Sequence, residues 1–310
     1  MTRQVIRVPA SIGNLGPGLD TLGLAVALYL RVTVRRRIDD GLGRLLIRFE
    51  DDRPRAQDGI SRAFKLWPFR IKRPPSLEVD VVSEIPERAG LGSSAAATIA
   101  GLRLRELCDG ARGTDDILDT ACRLEHHPDN AAAAVYGGLT SCAVGETGRV
   151  TVARWRWPPA WHLVVATPRN LQLETAASRR ALPAAIRLQD AVFNFQRLAQ
   201  LLHAVQTRDA SRMAGAFADR CHQPYREPLV PVLRRALALA QPDILGVCLS
   251  GAGPSVVAIA RRNPSGVERA LADLYRREGV PCVVRTCKVH KGSTARPMPH
   301  ATYRRGTASG

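Results

Sequence analysis

Two glycines, two serines and a run of alanines stand together in PERAGLGSSAAAT, residues 86–98, directly ahead of a stretch with helical spacing. Glycine lets backbone approach a ligand with no Cβ in the way. A helix that starts at once points unpaired N–H groups and a partial positive charge at the same spot. That combination suits phosphate, although alone it equally describes a tight turn packing a helix on a sheet. Two common phosphate loops do not fit. GxxxxGK[ST] needs a lysine, and this segment has none. Gly90, Gly92 and Ala95 match GxGxx[GA], but EIPERA separates them from the preceding strand, whereas a dinucleotide turn follows its strand closely.

Elements that could hold this loop are legible on both sides of it. RQVIRVPAS reads as a strand, GNLGPGLDTLG as a second glycine-rich loop, AVALYLRVTVRR as another strand, and ISRAFKLW as a short helix in a polar stretch. SLEVDVV alternates like a strand, and SAAATIAGLRLRELC suits a buried helix. Thr114, Asp115 and Asp116 open another helix through Cys122 that ends near HHPDN, because side-chain oxygens and first-turn carboxylates satisfy free N–H groups. The prolines and tryptophans of RWRWPPAW put a domain boundary near Pro158. Beyond it come a strand at LVVAT and a helix with Val192, Phe195, Leu198, Leu202 and Val205 along one apolar face. A strand, turn and strand follow in LGVCLSGAGPSVVAIA, then a helix and a last strand, PCVVRTCKV. The reading is α+β in two domains, 1–158 and 159–289. The tail, 290–310, is basic, poor in apolar residues and expected to be disordered.

Composition narrows the partners. The chain has 310 residues, 45% of them apolar, and its longest apolar run is nine residues, far below the ~18 that span a bilayer. With no leader-like N-terminus it is expected in the cytoplasm, and seven scattered cysteines without a CxxC pair favour reduced thiols over disulfides or zinc. The formal charge of +17 comes from 41 arginines and 4 lysines interleaved with 28 acids, and aromatics make up only 5%. Nucleic acid is therefore disfavoured as the main partner, and an anionic small substrate suits the charge.

Three glycine-rich motifs together say more than one. VPASIGNLGPGLDTLGLA, IPERAGLGSSAAAT and LSGAGPSVVAIA resemble, in order and spacing, the three motifs of the GHMP small-molecule kinase superfamily, and within it the homoserine kinases. LEHHPDNAAAAVYGGLT, TPRNLQLETAASRRALP and HQPYREPLVP resemble further signatures of that family, so the likeness runs from Val5 to Val284. The resemblance implies ATP-dependent phosphorylation of the side-chain hydroxyl of L-homoserine on the route to threonine, with ATP and Mg²⁺ required. It implies an N-terminal domain like ribosomal protein S5 domain 2, a ferredoxin-like C-terminal domain, and a site between them. A homodimer is compatible with it. The alternatives are a GHMP-type kinase for another small alcohol or amino alcohol, and, more distantly, a basic binding protein on the same fold without turnover.

Site roles follow from the resemblance residue by residue. Pro86, Glu87, Arg88, Ala89, Gly90, Leu91, Gly92, Ser93, Ser94, Ala95 and Ala96 would wrap the triphosphate of ATP, with Ser94 and Glu125 as oxygen ligands of Mg²⁺. Asp20 would take the substrate's amino group with Asn14 nearby. Arg179 and Arg226 would clamp its carboxylate, since the arginine fork donates two parallel hydrogen bonds. Thr175 would assist, Gly253 would help close the site, and Asn130 would orient the hydroxyl. By the resemblance Asn130, Asp129 and Asp20 are the catalytic candidates, Asp129 matching the aspartate that related kinases are proposed to use as base; phosphoryl transfer relies mainly on alignment and charge stabilisation, so no base is assigned. His126 and His127 are read as structural. The chain departs from the family in SIGN, where TSAN or SSAN is common, and in GLD for GFD. Residues 50–76 also lack the asparagine found near adenine, leaving Gln57 or Asp58 as substitutes.

Overall fold

A computed structural model describes residues 4–50, 58–292 and 298–299. In chain order the first half contains β1 (Gln4–Gly13), β2 (Leu22–Ile38), β3 (Leu45–Phe49), α1 (Gly59–Phe64), β4 (Ser76–Ser83), α2 (Ser93–Asp109), α3 (Thr114–Glu125), α4 (Asp129–Tyr136), β5 (Leu139–Val144) and β6 (Val150–Trp155). The 17 residues of β2 organise this half, pairing antiparallel with β1, β4 and β5. The β1 register slips at Pro9, which has no N–H to give to the ladder. Ile6, Val8, Ala10 and Ile12 alternate inward along β1, and α2 and α4 pack across β1 and β2 through small side chains such as Ala96, Ala100 and Ala131 to Ala134. Small residues there let the helices sit close to the sheet.

The second half runs β7 (His162–Pro168), α5 (Thr175–Arg180), α6 (Leu188–Thr207), α7 (Gln223–Arg226), α8 (Leu233–Leu237), β8 (Ile244–Leu249), β9 (Val256–Ala260), α9 (Pro264–Arg277) and β10 (Cys282–Cys287). The strands form one antiparallel sheet in the order β10-β7-β9-β8, the ferredoxin-like order expected for it. Strand periodicity divides its two faces. Leu163, Val165, Val257 and Ile259 join the large core shared with the first half, while Val164, Ala166, Ala258 and Ala260 pack in a second core with Leu271 and Tyr275 of α9. The fold is thus α+β, with two sheets. No helix among the described residues is long and apolar enough to cross a membrane. All seven cysteines are free thiols.

Three expectations need correction. The helix α4 was not foreseen, since HHPDN read as a helix end; the alanine run after it restarts a helix within three residues of the end of α3. The apolar face of α6 is used only in its second half. Asn194, Leu201, Ala204 and Val205 are buried, whereas Val192 is 42% and Phe195 67% exposed. The first half of α6 is fixed instead by polar bonds from Asn194 to the Pro17 carbonyl and Asp219. Finally, the tail does not leave the fold at His290. Val289 bridges Val26, the His290 N–H donates to the Ala25 carbonyl, and the Gly138 N–H donates to the His290 carbonyl. Met298–Pro299, here β11, pairs with Gln4 and Val5 of β1. Backbone groups of β2 and Gly138 recruit this segment because they would otherwise be buried without partners. The remainder of the tail lies outside the described residues.

Gly23 on β2 faces the start of α4, and a Cβ there would run into the Asp129 carbonyl. Gly23→Ala is expected to cost about 1–3 kcal/mol, as overpacking does, and to lower the urea midpoint without changing the slope of the unfolding transition.

Candidate active site

Three turns far apart in sequence are stitched together by their own backbone. The Ser11 N–H donates to the Leu91 carbonyl, the Gly251 N–H to the Gly13 carbonyl, and the Ser255 N–H to the Ala89 carbonyl. Ser250 Oγ adds a bond to the Gly90 carbonyl at 2.7 Å, and Asn14 Nδ2 one to the Gly251 carbonyl at 3.0 Å. The contacts are too close for side chains. A Cβ on Gly90 would strike the Ser250 carbonyl and one on Gly92 the Ser11 hydroxyl, and both glycines have φ near +70°. A cleft opens at this junction. Among its lining residues are Asn14, Asp20, Arg88, Gly90, Gly92, Ser93, Ser94, Ala95, Glu125, His127, Asp129, Asn130, Thr175, Arg179 and Arg226.

At one end lies the start of α2. No side chain caps it, so the first-turn N–H groups that a serine or aspartate cap would consume are left for a ligand. Ser94 Oγ lies 3.0 Å from Glu125 Oε1, which also accepts from Thr98 Oγ1 at 2.7 Å, and Arg62 stands 3.7 Å away. A carboxylate and a hydroxyl beside a phosphate cradle are the kind of oxygen donors Mg²⁺ uses when phosphates supply the rest of its shell. They fit that ion. Among the described residues no group of three or more His, Cys, Asp or Glu side chains is placed to hold a metal ion. The loop residues separate by direction. Ala89, Leu91 and Ala96 are buried in the packing, and Pro86 and Glu87 line a different cavity beside Thr167 and Arg285. Only Arg88, Gly90 and Gly92 to Ala95 of the expected wrap face the cleft. Asp58, a candidate near adenine, is spent as the cap of α1, its Oδ1 accepting from the Ser61 N–H at 2.6 Å. Gln57 lies outside the described residues.

The other end is ionic. Arg179 Nη2 lies 2.6 Å from Asp20 Oδ1, so the two residues read as opposite ends of a substrate site neutralise each other. Asp20 is held at φ +52° with its N–H donating to Asn14 Oδ1. Arg226 is buried. Its Nη1 donates to His222 Nδ1 at 3.1 Å and to the Gly251 carbonyl at 3.0 Å, and its Nε has no partner. Burial, then the like charge of Arg179, pulls its pKa down to about 10, which leaves it a cation at neutral pH. Thr175, at the first turn of α5, lines the cleft. Gly253 does not line it; a Cβ there would face Leu249, Val230 and Leu173 instead.

Between the two ends stand Asp129 and Asn130 at the start of α4. Asn130 Oδ1 accepts from Ser11 Oγ at 2.9 Å, and none of its bonds among the described residues uses Nδ2, which leaves a donor for the cleft. Both oxygens of Asp129 are engaged, Oδ2 by the Asn14 N–H at 3.2 Å and Oδ1 by His127 Nδ1 at 3.0 Å. Burial opposes charge on His127, but the bond and charge of Asp129, with Asp20 and Glu125, outweigh it and raise the imidazole above its ordinary value.

Residues not singled out from the sequence complete the frame. His222, fully buried, accepts from Arg226 at Nδ1 and therefore donates from Nε2 to the Gly16 carbonyl at 2.7 Å. Asp219 gathers the N–H groups of Cys221, His222 and Gln223, and Asn194 bridges Asp219 to Pro17. A DxxHQ spacing ahead of a short helix was the available signal, but buried polar bonding is invisible in sequence. Burial above all, with Arg226 adding to it against Asp219, lowers His222 below its ordinary value near 6.5. The unfolded chain therefore takes up a proton as pH falls past about 6.5 before the native state does, and this residue's contribution to stability declines from there downward. His127 has the opposite sign, so the difference between wild type and His222→Gln isolates the effect. Urea unfolding at pH 5.5 and 7.5 is expected to show a smaller acid loss in the variant.

Residues 58–138 match the GHMP kinase N-terminal domain and residues 198–278 the GHMP kinase C-terminal domain. The homoserine kinase of Moorella thermoacetica is 39% identical over 287 residues, covering 91% of this chain and 95% of the relative. That of Solibacter usitatus is 38% identical, covering 88% and 90%. Among solved structures, the homoserine kinase of Cytophaga hutchinsonii superposes with a TM-score of 0.79 at 22% identity over 94% of this chain and 96% of that one. Mevalonate kinase of L. major, solved with R-mevalonate, gives 0.65 at 15% identity, covering 93% and 96%, a likeness of fold alone.

Proposed function

The chain belongs to the homoserine kinase family of GHMP kinases, and from that premise we propose that its cleft transfers the terminal phosphoryl group of ATP to the side-chain hydroxyl of L-homoserine. The observation that carries the reading is the pairing of an uncapped glycine-rich helix start with an Asp20, Arg179 and Arg226 cluster across one small cleft. A phosphate donor fits the first and a zwitterionic amino acid the second.

The N–H groups from Gly90 to Ala95 hold the phosphates, and Arg88 stands beside them. Ser94 and Glu125 are the residues that would hold Mg²⁺, which when bound would neutralise charge on the phosphate oxygens. At the other end the ion pair is exchanged rather than simply broken. The α-amino group takes the place of Arg179 at Asp20, and the carboxylate takes the place of Asp20 at Arg179, with Arg226 fixed behind it by His222. Asp20 and Arg179 each keep an opposite charge through the exchange, and Arg226, which has no carboxylate partner of its own, gains the substrate's. Asn130 Nδ2 orients the hydroxyl toward the phosphoryl group. Alignment of this kind can supply ~7–11 kcal/mol of the barrier. Asp129, bonded to the Asn14 N–H and to His127, is assigned the positioning role of holding that loop and that imidazole, and no base is assigned.

An ADP-release assay across L-homoserine, L-threonine, L-serine and simple alcohols tests the whole reading. L-homoserine is expected to give the highest kcat/KM, and preference for another alcohol, or no ADP release at all, would refute it. Arg179→Ala should raise KM for homoserine by about 10- to 100-fold, the equivalent of the ~1.5–3 kcal/mol lost with a hydrogen bond to a charged group. For Asp129→Asn, removing a true base would lower kcat by ~10²–10⁴-fold, whereas the positioning role predicts a loss within about tenfold. Glu125→Gln should shift the Mg²⁺ dependence to higher concentration while leaving KM for homoserine in place.

A further inference from the structure

A second cavity, of about 520 Å³, shares no lining residue with the catalytic cleft. It lies where the two halves of the chain meet, walled by the end of β6, the linker that follows, the end of α6 and the segment beyond β10. Four cations face it, Arg154, Arg156, Arg208 and Lys291, together with the indoles of Trp155 and Trp157. Among the described residues none of the four cations pairs with a carboxylate. Asp209, the sequence neighbour of Arg208, is taken by Arg212 and Ser211. Arg154 reaches only the Lys291 carbonyl, at 3.5 Å. Both indole N–H groups are bonded elsewhere, Trp155 to Ser141 and Trp157 to the Trp161 carbonyl, so neither donor is free for a ligand.

We propose that this cavity binds a small phosphorylated molecule with a flat ring, of the size of a nucleoside monophosphate. Unpaired like charges crowded around one hollow repel one another, and a polyanion relieves that repulsion. Guanidinium groups match phosphate oxygens bidentately, and indole rings offer a stacking surface for a planar group. The volume falls within the ~300–1,000 Å³ range of small-molecule sites. Residues 291–310 carry four cationic residues and no acid, so the end of the chain has the wrong sign to be the occupant. The site also abuts Gly137 and Gly138 at the end of α4. With Asp129 and Asn130 at the opposite end of that eight-residue helix, a ligand here stands roughly 12 Å from the reacting centre at 1.5 Å per residue.

Lysine chemistry gives a direct test, because the chain has only four lysines, Lys65, Lys72, Lys288 and Lys291, and none lines the catalytic cleft. Pyridoxal 5′-phosphate, a planar phosphate with an aldehyde, is added to the active enzyme. The Lys291 amine and the aldehyde form an imine with loss of water, borohydride reduces the C=N bond, and peptide mapping locates the adduct. The expected result is labelling concentrated on Lys291 and suppressed by AMP but not by inorganic phosphate. Arg156→Glu and Arg208→Glu, exposed positions away from the catalytic machinery, should each weaken labelling at least about tenfold, the equivalent of ~1.4 kcal/mol in affinity. Even labelling of the four lysines, equal protection by phosphate and AMP, or indifference to both charge reversals would overturn the proposal.

Discussion

The backbone of Gly251 is the point on which the catalytic cleft depends. Its N–H donates to the Gly13 carbonyl, and its own carbonyl accepts both Asn14 Nδ2 and Arg226 Nη1. One backbone group from β8–β9 thereby fixes the loop after β1 and the buried cation from α7. The Gly90 turn is pressed against the same segment through Ser250. Glycine is required at the crowded positions because the approach is backbone to backbone, and bonds of this kind hold their length where flexible side chains would not. Phosphate-binding and amino-acid-binding ends of the cleft are therefore set at one spacing by the fold itself.

Much of this was legible before any coordinates. Strand periodicity locates most of the strands, and three glycine motifs in one order and spacing point to one site where any of them alone could be an ordinary turn. What sequence could not supply was direction. Leu91 and Ala96 sit inside the motif yet point into packing, and a one-residue change of facing around a helix start cannot be read from composition. Phe195 satisfies an apolar helical stripe and still lies on the surface, because Asn194 on the same helix is held inward by bonds to residues far away in sequence. Asp20 and Arg179 were assigned to separate groups of a substrate, and their mutual ion pair emerged only from the fold.

The arginine-rich composition turns out to be several different populations. Some are surface partners of acids, such as Arg31 with Glu84. Arg105 is buried, stacked 3.3 Å over the Phe69 ring and bonded to the Phe64 carbonyl, so its cation works as an apolar plate with one polar edge. Arg112 covers Trp67 in the same way. Arg226 is buried to be a ligand-facing charge. Lysine, a point charge with no planar face, could not replace the stacked ones.

The return of the chain at Val289 and His290 into the first sheet has a consequence for synthesis. The Gly138 amide and the Ala25 carbonyl acquire their partners from residue 290, long after β6 of the first sheet, which ends at Trp155, has been translated. Until then the seam between β2 and β5 presents open polar backbone where the finished protein has none. The first half therefore cannot be completed as it leaves the ribosome, and β10 with the residues just beyond it supplies the missing edge of the second sheet and the missing partners of the first.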